Sequence, residues 1–171
     1  MNMNTNFFHR DIRGFTLPEI MMTVGIFGLV MAGTFAVYLS SQKMWHSISL
    51  AMETSFDTSL ILEKMVYGVG LNSGLRSAES SSVSVIPSGS DWTLSYVDPD
   101  GTTNSVNYDS ALGQISYSNS GTTDSSIIGR NIVSAAVTNT GDGLSMAIKV
   151  GKSKGMFSST NEMSTFVKFR N

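Results

Sequence analysis

Residues 13–28 read RGFTLPEIMMTVGIFG, and the fold turns on what that stretch begins. From Ile20 to Leu39 the sequence IMMTVGIFGLVMAGTFAVYL holds no charged residue over twenty positions. At 1.5 Å of rise per residue, a helix of that length spans a hydrocarbon core of about 30 Å. The run is therefore a candidate membrane-spanning helix. Gly25, Gly28 and Gly33 would each cost a soluble helix roughly 1 kcal/mol relative to alanine, but small residues are frequent in membrane helices. Glu19 lies at the entrance to this run, where a carboxylate must find a partner or lie shallow.

The order of segments differs from that of a secretory signal, in which a small-residue cut follows the apolar region. Here a polar basic stretch, MNMNTNFFHRDIRG, comes first, and the only small-residue cut, Gly14, precedes the apolar run. Cleavage there would keep the hydrophobic helix in the mature chain. Arg10 and Arg13 favour a cytoplasmic leader, with Lys43 on the far side making the bias modest. The rest of the chain is then exported.

The sequence Gly14-Phe15-Thr16-Leu17-Pro18-Glu19 followed by an apolar helix resembles the cleavage and methylation signature of type IV pilins and type II secretion pseudopilins. The resemblance is strong over roughly residues 8–45. It implies that a membrane peptidase cuts after Gly14 and methylates the new amine of Phe15, with Thr16, Leu17 and Pro18 completing the processing motif. It also implies that Glu19 pairs with the N-terminal amine of a neighbouring subunit during assembly. An ion at the centre of a membrane helix costs about 2.5–3.5 kcal/mol on the translocon scale and less near an end, so such a pairing has a physical basis. A first-turn acid complementing the helix dipole, behind an early proline, is the simpler alternative, but it leaves the coincidence with the glycine cut unexplained. The partners implied are the prepilin peptidase and methylase, other subunits contacted through the N-terminal helix, an inner-membrane assembly platform, and lipid before assembly.

Beyond Leu39 the helical period continues: Trp45, Ile48, Met52, Phe56 and Leu60 fall at steps of three and four. This spacing predicts an amphipathic continuation over 40–70, ended by Gly68, Gly70, Asn72 and Gly74. His46 has no second ligand at helical spacing and reads as a polar-face residue.

After Leu75 the composition shifts to Ser, Thr, Gly and Asn with short alternating runs. SVSVI (82–86), WTLSYV (92–97), SVNY (105–108), QISYS (114–118), NIVSAAV (131–137), LSMAIKV (144–150) and TFVKFR (165–170) read as strands. Asp98-Pro99-Asp100-Gly101 is a turn signal rather than a calcium loop, whose ligand spacing it lacks. Between residues 119 and 131 SGTTDSSIIGR mixes turn residues with a two-residue apolar step and fixes no strand boundary, and the polar stretch SKGMFSSTNEMS is expected to be a connection. Val133, Ala135 and Val137 are expected on one face. The whole predicts an α+β fold: a leader (1–14), a membrane or filament-core helix (15–39), its amphipathic continuation (40–70), and one antiparallel sheet domain (71–171) covered by the stripe of Met52, Phe56 and Leu60.

Chemistry is sparse. His9 and His46 are the two histidines, cysteine is absent, and no nucleophile elbow, phosphate loop or HExxH occurs. The acids Asp91, Asp98, Asp100, Asp109 and Asp124 fall in polar turns, so neither catalysis nor a metal or other cofactor is expected. Removing residues 1–14, with Arg10, Arg13 and Asp11, leaves nine basic against twelve acidic side chains. That balance argues against nucleic acid, and Lys149, Lys152 and Lys154 beside Gly151 and Gly155 read as a solvated turn. The expectation is a filament subunit anchored once in a bacterial inner membrane. The Ser/Thr-rich sheet domain and the ending FVKFRN resemble a minor subunit more than an abundant one. The competing reading is a periplasmic binding or enzyme domain that uses the helix only as a tether.

Overall fold

The computed structural model describes residues 14–70, 74–121 and 125–169. The leader segment 1–13, Asn72 and Asp124 lie outside those residues. Among the described residues one α-helix, α1, runs Leu17–Tyr67. It starts where Thr16, still non-helical, accepts the first turn's amides from Glu19 (3.0 Å) and Ile20 (3.2 Å). It stops at Gly68, whose φ of 106° is left-handed and whose amide closes onto Lys64 O at 2.9 Å.

The chain divides into two compact units, Met1–Met44 and Trp45–Asn171. In the first, every described residue is exposed. Among its described residues the second contains eight strands: β1 (Ser84–Ser88), β2 (Asp91–Val97), β3 (Thr103–Asp109), β4 (Gln114–Asn119), β5 (Ser125–Gly129), β6 (Ile132–Asn139), β7 (Gly143–Lys154) and β8 (Phe157–Lys168). The class is α+β, one long helix against antiparallel sheets. The single expected sheet is in fact two: a five-stranded meander β1-β2-β3-β4-β5 and a three-stranded meander β6-β7-β8. Ladder pairing ends at β5, and the chain restarts at Asn131, a non-glycine residue at φ 59°. The two sheets share a core instead of an edge. Trp92 of β2 donates its indole N–H to Ala135 O of β6 at 2.9 Å.

Alternation fixes the faces of β2 to β4. Trp92, Leu94 and Tyr96 are buried and stand opposite Tyr108, Val106 and Asn104, which meet Ile115, Tyr117 and Asn119 in turn. One face therefore carries the core, and the other is half exposed. From β7, Leu144, Met146, Ile148 and Val150 join it, and the helix adds Ile61, Leu62 and Met65.

Three expectations fail here. The stripe predicted to cover the sheet faces away from it: Trp45, Met52 and Phe56 are 72%, 69% and 66% exposed, and Ile48 is exposed too. The covering face is Leu50, Thr54, Thr58, Ile61, Leu62 and Met65, on the opposite side of the helix at about 100° per residue. Thr54 and Thr58 can be buried because their hydroxyls donate to the carbonyls of Leu50 and Thr54, four residues back. Only Leu60 of the predicted stripe is half-buried.

Secondly, SKGMFSSTNEMS is no connection. It is a hairpin in which β7 and β8 pair from Gly143↔Lys168 to Lys154↔Phe157. Gly151 is therefore a strand residue, and the three lysines are not a free turn. Lys149 faces Glu162 at 3.7 Å, and Lys152 bridges Glu53 and Asp57 of the helix. Between 119 and 131, where the residue pattern set no boundary, Ser125–Gly129 form β5.

Thirdly, a register shift between Ile132 and Ser134 breaks the expected alternation of β6. The bulge puts Ile132 in the core and turns Val133 outward, while Ala135 and Val137 keep their inward side. The Asp98–Gly101 turn forms as expected, with the Gly101 amide donating to Asp98 O at 2.8 Å and Gly101 at φ 81°. Asp98 itself is buried, unlike the solvated acid expected there. Its backbone closes the β2–β3 connection by donating to Thr102 O.

Candidate functional site

The residues singled out by the motif meet at the start of α1. Gly14, Phe15 and Thr16 precede the helix in non-helical backbone, and all three are exposed. No atom beyond the chain neighbours lies within 4 Å of where a Gly14 side chain would begin. A peptidase needs an accessible bond, and the Gly14–Phe15 linkage is exposed and lies outside the helix.

Leu17, Pro18 and Glu19 then begin the first helical turn. Thr16 occupies the capping position, and the proline behind it loses an amide that a helix start would leave unpaired in any case. The T-x-x-E spacing of Thr16 and Glu19 is that of a capping box, a signal present in the sequence but not part of the processing motif as read. The Thr16 hydroxyl donates to Glu19 Oε2 across 3.4 Å. That is long for an O–H···O bond, so the carboxylate stays largely unengaged. It is exposed, and among the described residues no cation pairs with it.

The polar atoms inside the apolar run are satisfied locally. Thr23 donates to Glu19 O at 2.7 Å and Thr34 to Val30 O at 2.9 Å, each four residues back. Hydrocarbon would therefore meet no bare hydroxyl from these two residues. The helix is long and apolar enough to cross a membrane. Along its first half Phe15, Leu17, Ile20, Met21, Met22, Val24 and their successors stay uncovered.

Residues 9–35 match the family model described as the prokaryotic N-terminal methylation motif. The chain thus carries the type IV pilin and pseudopilin signature on the first turns of a long apolar helix, followed by an antiparallel domain. No curated protein matches the chain, and no solved structure does.

Elsewhere, among the described residues, no three His, Asp or Glu side chains cluster as metal ligands would. His46 stacks on Phe157 with ring centroids 6.0 Å apart. Asp91 accepts the Ser110 amide at 2.8 Å, and hydrogen bonds from Ser110 hold its carboxyl below the usual range. The buried polar cluster of the five-stranded sheet centres on Asn104, whose Oδ1 accepts from the Tyr117 hydroxyl and from Asn119 Nδ2. Sequence reasoning did not find it, because Asn104 and Asn119 sit in strands that otherwise alternate apolar and polar.

Proposed function

We propose that this chain is a subunit of a type IV pilus or type II secretion pseudopilus, cut after Gly14 and methylated on Phe15. The observation that carries the proposal is the coincidence of the methylation motif with a helix start that leaves Gly14 and Phe15 outside the helix and exposed. Before assembly the helix holds the protein in the inner membrane, with the leader cytoplasmic and the sheet domain periplasmic. A platform then moves it into a filament, where like helices bury the Ile20–Leu39 surface.

Cleavage creates a cation on Phe15, four residues from Glu19. In a low-dielectric filament core, the amine of one subunit and the unengaged Glu19 of its neighbour would attract strongly and set the stagger between them. Removing one member leaves the other charge buried and unpaired, which is more costly than losing both. The exposed stripe of Trp45, Ile48, Met52 and Phe56 extends the surface available to neighbours beyond the membrane. In this role the chain assembles and does not catalyse.

The test is Glu19→Ala in cells that assemble the filament. Reduced incorporation of the processed, stably expressed variant is expected. Full incorporation, with secretion or motility intact, would sink the pairing and favour a helix that serves only as a tether.

A further inference from the structure

We infer that the tip of the β7–β8 hairpin is a membrane-surface contact, in which Met156 enters the headgroup layer of the bilayer together with Lys154 and with Trp45 of the helix that carries His46. The inference rests on residues 20–39 spanning that bilayer.

Gly155 and Met156 alone connect Lys154 to Phe157. Gly155 has φ 61° and Met156 does not share its positive φ, so this is a two-residue turn with glycine at the first central position, the type II′ arrangement. The second central position tolerates polar residues, yet it holds a methionine that is 93% exposed. A flexible apolar side chain at the outermost point of a tight hairpin has no partner within its own domain.

The hairpin tip is fixed against the first turns of the domain's helix. Phe157 stacks on His46, and Lys154, Gly155 and Phe157 face His46, Ser49 and Leu50 across a cleft of about 250 Å³. His46 follows the end of the uncharged run, Leu39, by seven residues, or about 10 Å of helix. Headgroups add roughly 5–8 Å beyond the hydrocarbon on each side. Seven residues of chain therefore limit how far His46, and the hairpin tip stacked on it, can stand from the lipid surface.

The neighbouring side chains suit that surface. Trp45 is exposed, and tryptophan favours the membrane–water boundary. Lys154 is exposed and can lay its stem along apolar surface while its ammonium meets phosphate. Of the other cations near the boundary, Lys152 is already neutralised by Glu53 and Asp57, while Lys43, two residues before Trp45, is exposed. Two exposed lysines make a modest electrostatic anchor, so insertion of Met156 and Trp45 must carry most of the contact, with only part of it sensitive to salt.

The absence of cysteine permits single-site labelling of the full chain. Val30→Cys, Met156→Cys and Asp142→Cys would each carry an environment-sensitive fluorophore in phosphatidylethanolamine and phosphatidylglycerol vesicles containing doxyl-labelled lipid. Asp142 precedes β7 at its other end, roughly 40 Å away by strand rise. Expected is strong quenching at 30 by deep doxyl groups, strong quenching at 156 by shallow ones, and little at 142. Quenching at 30 with none at 156, or equal quenching at 142 and 156, would overturn the contact while leaving the membrane helix standing. Loss of the signal at 156 on dilution with lipid would assign Met156 to contacts between copies instead and also overturn it. Absence of quenching at 30 would overturn both readings together.

Discussion

Lys152 of β7 places its ammonium 2.6 Å from Asp57 Oδ2 of the helix and 2.7 Å from Glu53 Oε1. Glu53 and Asp57 are one helical turn apart, so a single lysine separates two like charges while tying the three-stranded sheet to α1. Its side chain is only 18% exposed. Lys152→Met should therefore destabilise the domain by about 1–3 kcal/mol, since the carboxylates lose their charge-assisted partner. Denaturation of the detergent-solubilised chain measures it, and an unchanged midpoint would show the bridge to be ornamental.

Alkaline pH should weaken the domain at two places. Bonds to Asp57 and Glu53 hold Lys152 protonated above its ordinary value of 10.5, and burial, with Tyr117 and Asp98 adding to it, pushes the Tyr96 phenol well above 10.0. For both groups the folded pKa exceeds the unfolded one. Their contributions are complete below the ordinary values and are lost as pH rises through the folded ones. Stability should stay level up to about pH 9 and fall beyond 10, less steeply in Lys152→Met, with tyrosinate absorbance of Tyr96 appearing only as the domain unfolds.

The two faces of the helix should respond differently to substitution. Ile61→Ala removes a buried side chain that packs against Gly129 and should cost about 3 kcal/mol. Phe56→Ser alters an exposed position and should change folding stability by no more than about 0.5 kcal/mol. If the exposed stripe meets neighbouring subunits, Phe56→Ser should instead lower recovery in the filament fraction. Equal losses of stability for the two variants would restore Phe56 to the core.

The long helix, its glycine end, the Asp98–Gly101 turn and most strands were legible because each depends on local chemistry: apolar run, left-handed terminator, turn residues, alternation. The phase of the amphipathic half was not. Apolar character alone pointed to Met52 and Phe56, whereas Thr54 and Thr58 become core residues only when their hydroxyls bond back to the helix. The hairpin from Lys152 to Ser159 was hidden because its strands are polar and bury little. The division into two sheets depends on the chain restart at Asn131 and the bulge after Ile132, neither of which has a composition signal. At the candidate site the motif gave the residues, and the structure added the Thr16 cap and the weakly engaged state of Glu19.

Gly74 offers a test of packing with no conformational component. Its backbone has φ −92°, open to any residue, yet a β-carbon there would lie 2.3 Å from Val66 O and 2.4 Å from Gly68 N. The chain leaving the helix must therefore pass directly over its last turn. Gly74→Ala should cost about 3 kcal/mol or more, because both contacts are backbone and cannot swing aside. Gly28→Ala, with open space around it, should leave the fold intact.

Processing at Gly14 is the claim on which the functional account depends, and mass spectrometry of the N-terminal peptide tests it most directly. The full chain would be recovered from envelope and sheared-filament fractions of cells that process other substrates of this kind. A peptide beginning at N-methylated Phe15 is predicted, in the sheared fraction for a surface pilus or confined to the envelope for a secretion pseudopilus. An intact leader continuing through Gly14 in both fractions would contradict it and leave the helix as a plain membrane anchor.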